Sequence, residues 1–553
     1  MSPSSLFDRH KATLEQAIKA SRTREYWTAY PESPSPHVYG ETGNKDGEAA
    51  FKAYLNKNFD MDQPGTIGSV GEEKSPYGFD LGVSYPKVDG DILVPQVEAL
   101  RQNWAKASIE IRTGICLEIL HRINQRSFEI AYAVMHTTGQ AFMMAFQAGG
   151  PHAQDRGLEA VAYAYEDMMR TPAVARWEKP QGKRDPIVME KHFTVVPRGI
   201  GLVIGCSTFP TWNSYPGLFA NLVTGNAVIV KPHPGAILPM AISVQICRDV
   251  LKEEGFDPNI VTMVVDSAEA PLAKDLALRE QVKLVDFTGS TGFGNWLEEN
   301  ARQALVYTEK AGVNCVVIDS TDNFRGMIGN LSFTLCLYSG QMCTTPQNIF
   351  IPEGGIDTDE GHKSFDEVAA ALAMGVEKLT GDDARASAIL GAIQSEATME
   401  RITEYGKGDN VLLASRSVPM AGFDAAIIQT PLILKASDES AYSSETFGPI
   451  SFVVPTKNTG DSLSIVEKTV KNHGAISFGI YAISDELLNQ AEGVACRAGV
   501  AVSFNLTGGV YVNQTAAFSD FHATGCNPAA NAALSDTAYV SNRYRVVQSR
   551  KHI

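Results

Sequence analysis

The chain lacks long hydrophobic runs, paired cysteines and any excess of positive charge. No apolar stretch approaches the roughly 20 residues that a bilayer-spanning helix needs. The first ten residues, Met1 to His10, lack the apolar core of a secretory leader. Eight cysteines are spread over 553 residues: Cys116, Cys206, Cys247, Cys315, Cys336, Cys343, Cys496 and Cys526. None forms a CxxC pair or a His/Cys cluster, which excludes a disulfide framework and gives no metal-site signature. A net charge of −16 argues against nucleic acid or a membrane surface as partner. There is no internal repeat and no low-complexity segment. What remains is an ordinary globular composition, 44% hydrophobic and 20% charged, in a chain too long for one core. Two or three domains and a cytoplasmic enzyme are expected.

Periodicity places the elements. Residues 6–30 read as an amphipathic helix, 32–40 as a Pro-rich loop, and 45–85 as an irregular arm around a short helix at 47–58. From 91 to 170 the pattern is helical. Residues 175–198 read as a projecting β-hairpin with a polar turn at 177–186, or equally as a decorated surface loop. Strands then alternate with helices: strands at 199–205, 227–230, 260–265 and 282–287, helices at 212–222, 237–254 and 270–278. This spacing predicts a doubly wound, mostly parallel α/β sheet. Ligands of such sheets bind beyond the carboxyl ends of the strands. A second α/β unit follows, with strands at 315–318, 348–351, 411–414, 425–435, 447–454 and 500–504. Its helices are predicted at 333–338, 363–378, 384–405 and 485–497, and 537–547 reads as an edge strand.

Most cysteines sit in apolar periodic stretches and read as small buried hydrophobes: Cys116, Cys247, Cys315, Cys336 and Cys496. Cys343 differs. It lies behind a Gly-Gln turn, on a loop just past the apolar run 331–337. Glu309 precedes the strand-like run 315–318. A thiol and a carboxylate at two loop–strand junctions are able to make and then hydrolyse a covalent acyl intermediate. Such a thiol needs a lowered pKa, from cofactor charge or a helix N-terminus. A third feature is the turn Phe287-Thr-Gly-Ser-Thr-Gly-Phe-Gly294, which follows a strand and opens a helix. Its glycines would let the backbone approach a pyrophosphate. Lys231 ends its strand beside Pro232, His233 and Pro234, placed to donate to ribose hydroxyls.

The segments around Glu309 and Cys343 together resemble the catalytic signatures of the aldehyde dehydrogenase superfamily, and the likeness extends from about residue 91 to about residue 530. It implies a Rossmann-type cofactor domain, an α/β catalytic domain and a small β oligomerisation element. The corresponding ranges are an N-terminal extension at 1–90, cofactor residues at 91–174 and 199–310, catalytic residues at 311–510, and oligomerisation strands at 175–198 and 530–553. The likeness further implies a homodimer or homotetramer. It implies that Cys343 is the nucleophile, that Glu309 is the base, and that Lys231, His233, Gly289, Ser290, Gly294, Glu445 and Phe447 hold the dinucleotide. The family often has a glutamate three residues after the lysine, where this chain has Pro234. That favours NADP, with NAD as the alternative. The family's oxyanion asparagine aligns with Thr208, and Asn213 lies about one helical turn on, so either side chain remains a candidate. CoA-acylating relatives also lack that asparagine but usually lack the glutamate, so hydrolysis to a free acid is expected. A CoA-acylating dehydrogenase and a non-catalytic scaffold on the same fold are the rivals. The segment from Glu25 to Gly40 resembles the front end of the aldehyde dehydrogenases of bacterial phenylacetate catabolism, the PaaN type. This implies the ring-opened CoA semialdehyde, 3-oxo-5,6-dehydrosuberyl-CoA semialdehyde, as substrate.

Overall fold

The structure, a computed structural model, describes residues 3–436 and 438–553. Met1 and Ser2, part of the predicted 1–90 extension, lie outside the described residues, as does Ser437.

Five parallel strands form the first sheet, in the spatial order Leu305–Lys310, Val282–Gly289, Ile200–Ile204, Ala227–Lys231, Val261–Met263. The two central strands of small and β-branched residues are buried throughout, as a sheet covered on both faces requires. The buried helices Pro210–Val223 and Leu238–Glu253 supply much of that cover. Strand order reverses between Ile200–Ile204 and Val282–Gly289, the switch point at which a crevice opens. Register pairs Ile204 with Lys231 and Phe287, and Thr288 with Glu309. Four strands therefore end on one rim, which carries Gly205, Lys231, Thr288 and Glu309.

The second sheet has seven strands in the order Val411–Leu413, Leu432–Lys435, Ile450–Thr456, Asn348–Pro352, Cys315–Ile318, Ser477–Tyr481, Ala501–Phe504. All pairs are parallel except at the Val411–Leu413 edge. Several sequence expectations are corrected here. The helix expected at 384–405 is two helices, Asp383–Leu390 and Glu396–Tyr405. Gly391 ends the first at φ +71°, where a Cβ would lie 2.4 Å from the Gly139 carbonyl oxygen. The strand expected at 425–435 is confined to Leu432–Lys435, and the helix expected to reach Tyr338 stops at Cys336. Cys496 is exposed, on the solvent side of its helix.

A third, largely exposed sheet projects away. Its strands Val174–Gln181 and Arg184–Pro197 form a hairpin turning at Gly182, tighter than the polar turn read from sequence. The C-terminal strand Tyr544–His552 pairs antiparallel with residues 189–197 of that hairpin. Residues 538–541 form a helical turn, so the strand starts later than the sequence pattern indicated.

The N-terminal region is woven into the core. Its first helix is Pro3–Thr23, ending at Arg24 with φ 59°, well before Tyr30. It packs along Ile109–Gln125 at Gly114, where a Cβ would meet the Phe7 backbone nitrogen at 2.5 Å. The short helix is Gly43–Lys52. Phe51, Tyr77, Leu81 and Tyr85 are buried, and Glu73 accepts from the Ile237 and Leu238 amides at the start of helix Leu238–Glu253. Among the described residues no helix is long and apolar enough to cross a membrane.

Candidate active site

Between the two sheets the chain makes an unusual bend. Tyr338, Ser339 and Gly340 take successive left-handed backbone angles, φ 52°, 49° and 62°. Tyr and Ser adopt such angles at an energetic cost, so surrounding bonds must fix them. Tyr338 Oη donates to the Thr138 carbonyl at 2.6 Å, and Ser339 Oγ donates to the Leu390 carbonyl at 3.1 Å. Beyond the bend, Asn314 Nδ2 donates to the carbonyls of Cys343 at 2.7 Å and Thr345 at 3.0 Å. Its Oδ1 accepts from the Ile476 and Ser477 amides. One buried amide thus ties the Cys343 loop to the second sheet.

Cys343 Sγ lies 3.4 Å from Glu309 Oε1, and His522 Nε2 lies 2.9 Å from the same oxygen. Glu309 and His522 are buried, Cys343 half-buried. Burial, then the carboxylate of Glu309, push the Cys343 thiol well above its ordinary value. From the protein's own groups, the pair is thiol and carboxylate. Burial works to raise the Glu309 carboxyl, but His522, the Cys343 thiol and Arg156 outweigh it and hold the carboxyl below its usual range. Asn213 Nδ2 approaches Glu309 Oε2 at 3.4 Å, while its Oδ1 accepts from the Cys206 thiol at 3.5 Å. Thr208 lines the same cavity, its carbonyl accepting from Gln140 and its side chain meeting Cys206. Of the two candidates, Asn213 makes the direct side-chain contact with Glu309.

Two cavities meet at this point, sharing Phe209, Asn213 and Cys343 as walls. The one on the rim of the first sheet holds about 500 Å³ and is lined by Lys231, His233, Gly289, Ser290, Glu445 and Phe447. Ser290 caps helix Thr291–Asn300, its Oγ accepting from the Phe293 amide. A Cβ on Gly289 would meet the Phe287 ring at 2.7 Å. Gly294 packs on the Lys310 stem rather than on the cavity wall. Lys231 is ion-paired with buried Asp266 at 2.7 Å, and Lys310 with Glu298 at 2.8 Å. Burial, then Lys231, push His233 down to about 4, so it is neutral near pH 7. Burial lifts Glu445 to about 7.

The second cavity, about 690 Å³, opens on the other side of Cys343. Aromatic and thioether side chains, among them Trp27, Phe209, Trp212, Phe333, Met342 and Tyr511, line it beside polar groups such as Asn513 and Gln514. One wall comes from the N-terminal region. Asp155 accepts from Thr28 Oγ1 and from the Ala29 amide at 3.1 Å, and Trp27 packs edge-on to Phe518 at 5.1 Å. Another wall comes from the tail, through Thr515, Ala516 and His522.

Comparison with known proteins decides the family. The aldehyde dehydrogenase family model matches residues 87–491. The chain belongs to the aldehyde dehydrogenase family. It superposes on an NAD-dependent aldehyde dehydrogenase from Burkholderia multivorans with a TM-score of 0.98 and 57% identity, over 99% of each chain. It is 25% identical over 400 residues to N-succinylglutamate 5-semialdehyde dehydrogenase of Burkholderia lata, 70% of this chain and 76% of that one. It shares the fold of 1-pyrroline-5-carboxylate dehydrogenase from Thermus thermophilus, with a TM-score of 0.76 at 16% identity over 96% of this chain and 99% of that one.

As an aldehyde dehydrogenase the chain is an oxidoreductase drawing on NAD(P). The cavity on the first sheet fits such a group: a glycine at the strand end leaves room for a backbone approach, and a helix N-terminus and two lysines face the same space. Three residues of this aldehyde dehydrogenase escaped the sequence reading. His522 meets Glu309 across 213 positions, from a tail that carries no local pattern. Asp266 lies just past strand Val261–Met263, one strand away from Lys231. Arg156 is buried inside a helix with no motif to mark it.

Proposed function

We propose that the protein oxidises an aldehyde to the free carboxylic acid through a thioester on Cys343. The observation that carries this is the 3.4 Å approach of the Cys343 thiol to Glu309 where the two cavities meet. Glu309 takes the thiol proton, and the thiolate adds to the aldehyde carbon to give a thiohemiacetal. Asn213 Nδ2 and the Cys343 backbone N–H are the donors for the oxyanion. Lys231, Gly289, Ser290, Glu445 and Phe447 would hold the dinucleotide, whose nicotinamide would accept the departing hydride. After that first proton has passed to solvent, Glu309 removes a proton from water, the hydroxyl adds to the thioester carbon, and the Cys343 thiolate leaves, to be reprotonated by Glu309. A buried carboxylate beside the sulfur favours hydrolysis over transfer to CoA. Product formation with and without CoA tests this, and an absolute need for CoA would defeat it. Undiminished oxidation by Cys343→Ala would overturn the nucleophile.

For the cofactor, the sequence put NADP first because Pro234 stands where a carboxylate is common. Both lysines on the cavity wall are paired and His233 is neutral, so no unpaired cation among the described lining residues is left for a 2′-phosphate. This favours NAD, in line with the name of the Burkholderia multivorans protein. The ratio of kcat/KM for NAD to that for NADP decides it.

For the substrate, the charged groups of the aromatic cavity are acidic or paired: Arg156 with Glu159, His152 with Glu32, and buried Asp155. N-Succinylglutamate semialdehyde, named for the Burkholderia lata relative, carries two carboxylates that would find no partner there. An uncharged, unsaturated arm suits the wall better. The ring-opened CoA semialdehyde of phenylacetate degradation has such an arm, with its anionic nucleotide left outside. Comparing kcat/KM for hexanal and N-succinylglutamate semialdehyde tests the wall, and a preference for the dicarboxylate would reject this reading. All eight cysteines are free, which suits the reducing cytoplasm. The exposed third sheet, with Val174, Ile187, Val546 and Val547 on its surface, is the surface for self-association.

A further inference from the structure

We propose that His522 is a positioning residue that fixes Glu309 as an ionised base between Cys343 and water, through a chain of donors that starts at Arg156. This rests on the reading of Cys343 and Glu309 given above. The thiol, carboxylate and imidazole ligand atoms all lie within 4.8 Å of one another. An ionised carboxylate only accepts, so the 2.9 Å contact to Glu309 Oε1 requires the proton on His522 Nε2. Nδ1 is then the acceptor, and Thr515 Oγ1 faces it at 3.4 Å. Arg156 Nη2 donates to that hydroxyl at 3.1 Å, which leaves the Thr515 proton to point at the ring. Arg156 Nη1 donates to Ser535 Oγ at 3.0 Å, and the same Ser535 oxygen accepts from the His522 amide at 3.2 Å. Arg156 therefore orders both the ring and the backbone of His522, and is itself paired with buried Glu159 at 2.7 Å. Trp212 closes the cage, edge-on to the imidazole at 4.6 Å with the Arg156 guanidinium 5.3 Å over its ring.

The arrangement settles which carboxylate oxygen does what. Oε1 is occupied by His522 and the thiol, and Oε2 faces Asn213 at the junction of the cavities. Oε2 is thus the oxygen that takes the proton from water, while His522 keeps its own proton throughout. The groups facing Glu309 are His522 from the tail, Arg156 from helix Ala153–Met169, Cys343 from its loop and Cys206 from the turn after Ile204. His522 and the Cys343 thiol oppose the burial of the carboxylate by hydrogen bonding, and Arg156 by charge. Without His522 burial gains weight, and the carboxyl holds its proton to higher pH.

The experiment compares wild type with His522→Ala, His522→Gln and Thr515→Val, using hexanal and NAD. It follows the pH dependence of kcat and the pre-steady-state burst of reduced cofactor. In His522→Ala the acid limb of the kcat profile moves up by about one unit or more, so that activity falls on the order of ten-fold or more at pH 7 and recovers on raising the pH. His522→Gln, whose amide restores an N–H donor, stays within several-fold of wild type. Thr515→Val shifts the limb in the same direction by less. A uniform loss at every pH, or an unmoved acid limb in His522→Ala, overturns the assignment. Should the alanine variant fail to fold, an acid limb in Thr515→Val identical to wild type overturns it equally. If Cys343→Ala is inactive while His522→Ala keeps the wild-type profile, only the His522 role fails. If Cys343→Ala is active, the underlying reading fails.

Discussion

The two cavities that meet at Cys343 are built in opposite ways. The cavity on the rim of the first sheet, proposed for the dinucleotide, is assembled from successive strand ends, so Lys231, Gly289, Ser290 and Glu309 appear in chain order. The aromatic cavity, proposed for the aldehyde, joins Trp27 and Thr28 near one terminus to Tyr511 and His522 near the other. Parallel sheets force the first arrangement, because every βα turn ends on the same rim. Nothing local forces the second. It depends on long-range contacts such as Arg24 donating to the Phe518 and Ser535 carbonyls. The first cavity therefore takes its geometry from a sheet, and the second is shaped by the chain's ends.

Four substitutions probe this division. Glu309→Gln strikes the junction, and kcat should fall about a thousand-fold with both KM values within a few-fold of wild type. A loss confined to one KM would show that Glu309 acts in binding on one side rather than in the chemistry at the junction. Asn213→Ala should lower kcat about a hundred-fold, Thr208→Ala no more than a few-fold. The reverse ranking in steady-state assays would return the oxyanion role to Thr208. Gly289→Ala places a Cβ 2.7 Å from the Phe287 ring, and should raise the KM for cofactor about ten-fold while leaving the KM for aldehyde alone. Equal effects on both would blur the comparison.

The smallest effect belongs to the aldehyde side. Burial lifts Asp155, which anchors the N-terminal wall, from an ordinary 3.8 to about 7. A carboxyl whose folded value is raised contributes stability that is complete below about 4 and is lost as pH rises through about 7. Thermal unfolding of wild type should therefore weaken between pH 5 and pH 8 more than that of Asp155→Asn, which stays neutral. Glu73 and Glu445, also near 7, titrate in both proteins and drop out of the difference. The same variant should raise the KM for aldehyde a few-fold and leave the cofactor KM unchanged. Parallel melting curves across this range would remove Asp155 as the anchor.

Legibility followed the same line. The strands and helices of the first sheet were readable because β-branched runs and amphipathic spacing are local signals, and the Gly-rich turn before helix Thr291–Asn300 carries its own chemistry. The single helix expected over 384–405 was wrong because its break at Gly391 answers to the Gly139 backbone, far away in sequence. Cys496 was misplaced because an apolar neighbourhood does not say which side of a helix faces solvent. The Pro234 argument saw one missing carboxylate but not Asp266, which reaches Lys231 from the neighbouring strand.

The amino-acid order alone determined that a thiol and a carboxylate would stand at the ends of α/β strands beside a dinucleotide loop, since short-range pattern and turn chemistry settle those positions. Only the folded chain decided the ionisation of that pair and the second half of its surroundings. Those depend on which distant groups burial forces together, as His522, Arg156 and the Thr28 wall show, and burial has no signature in any short stretch of sequence.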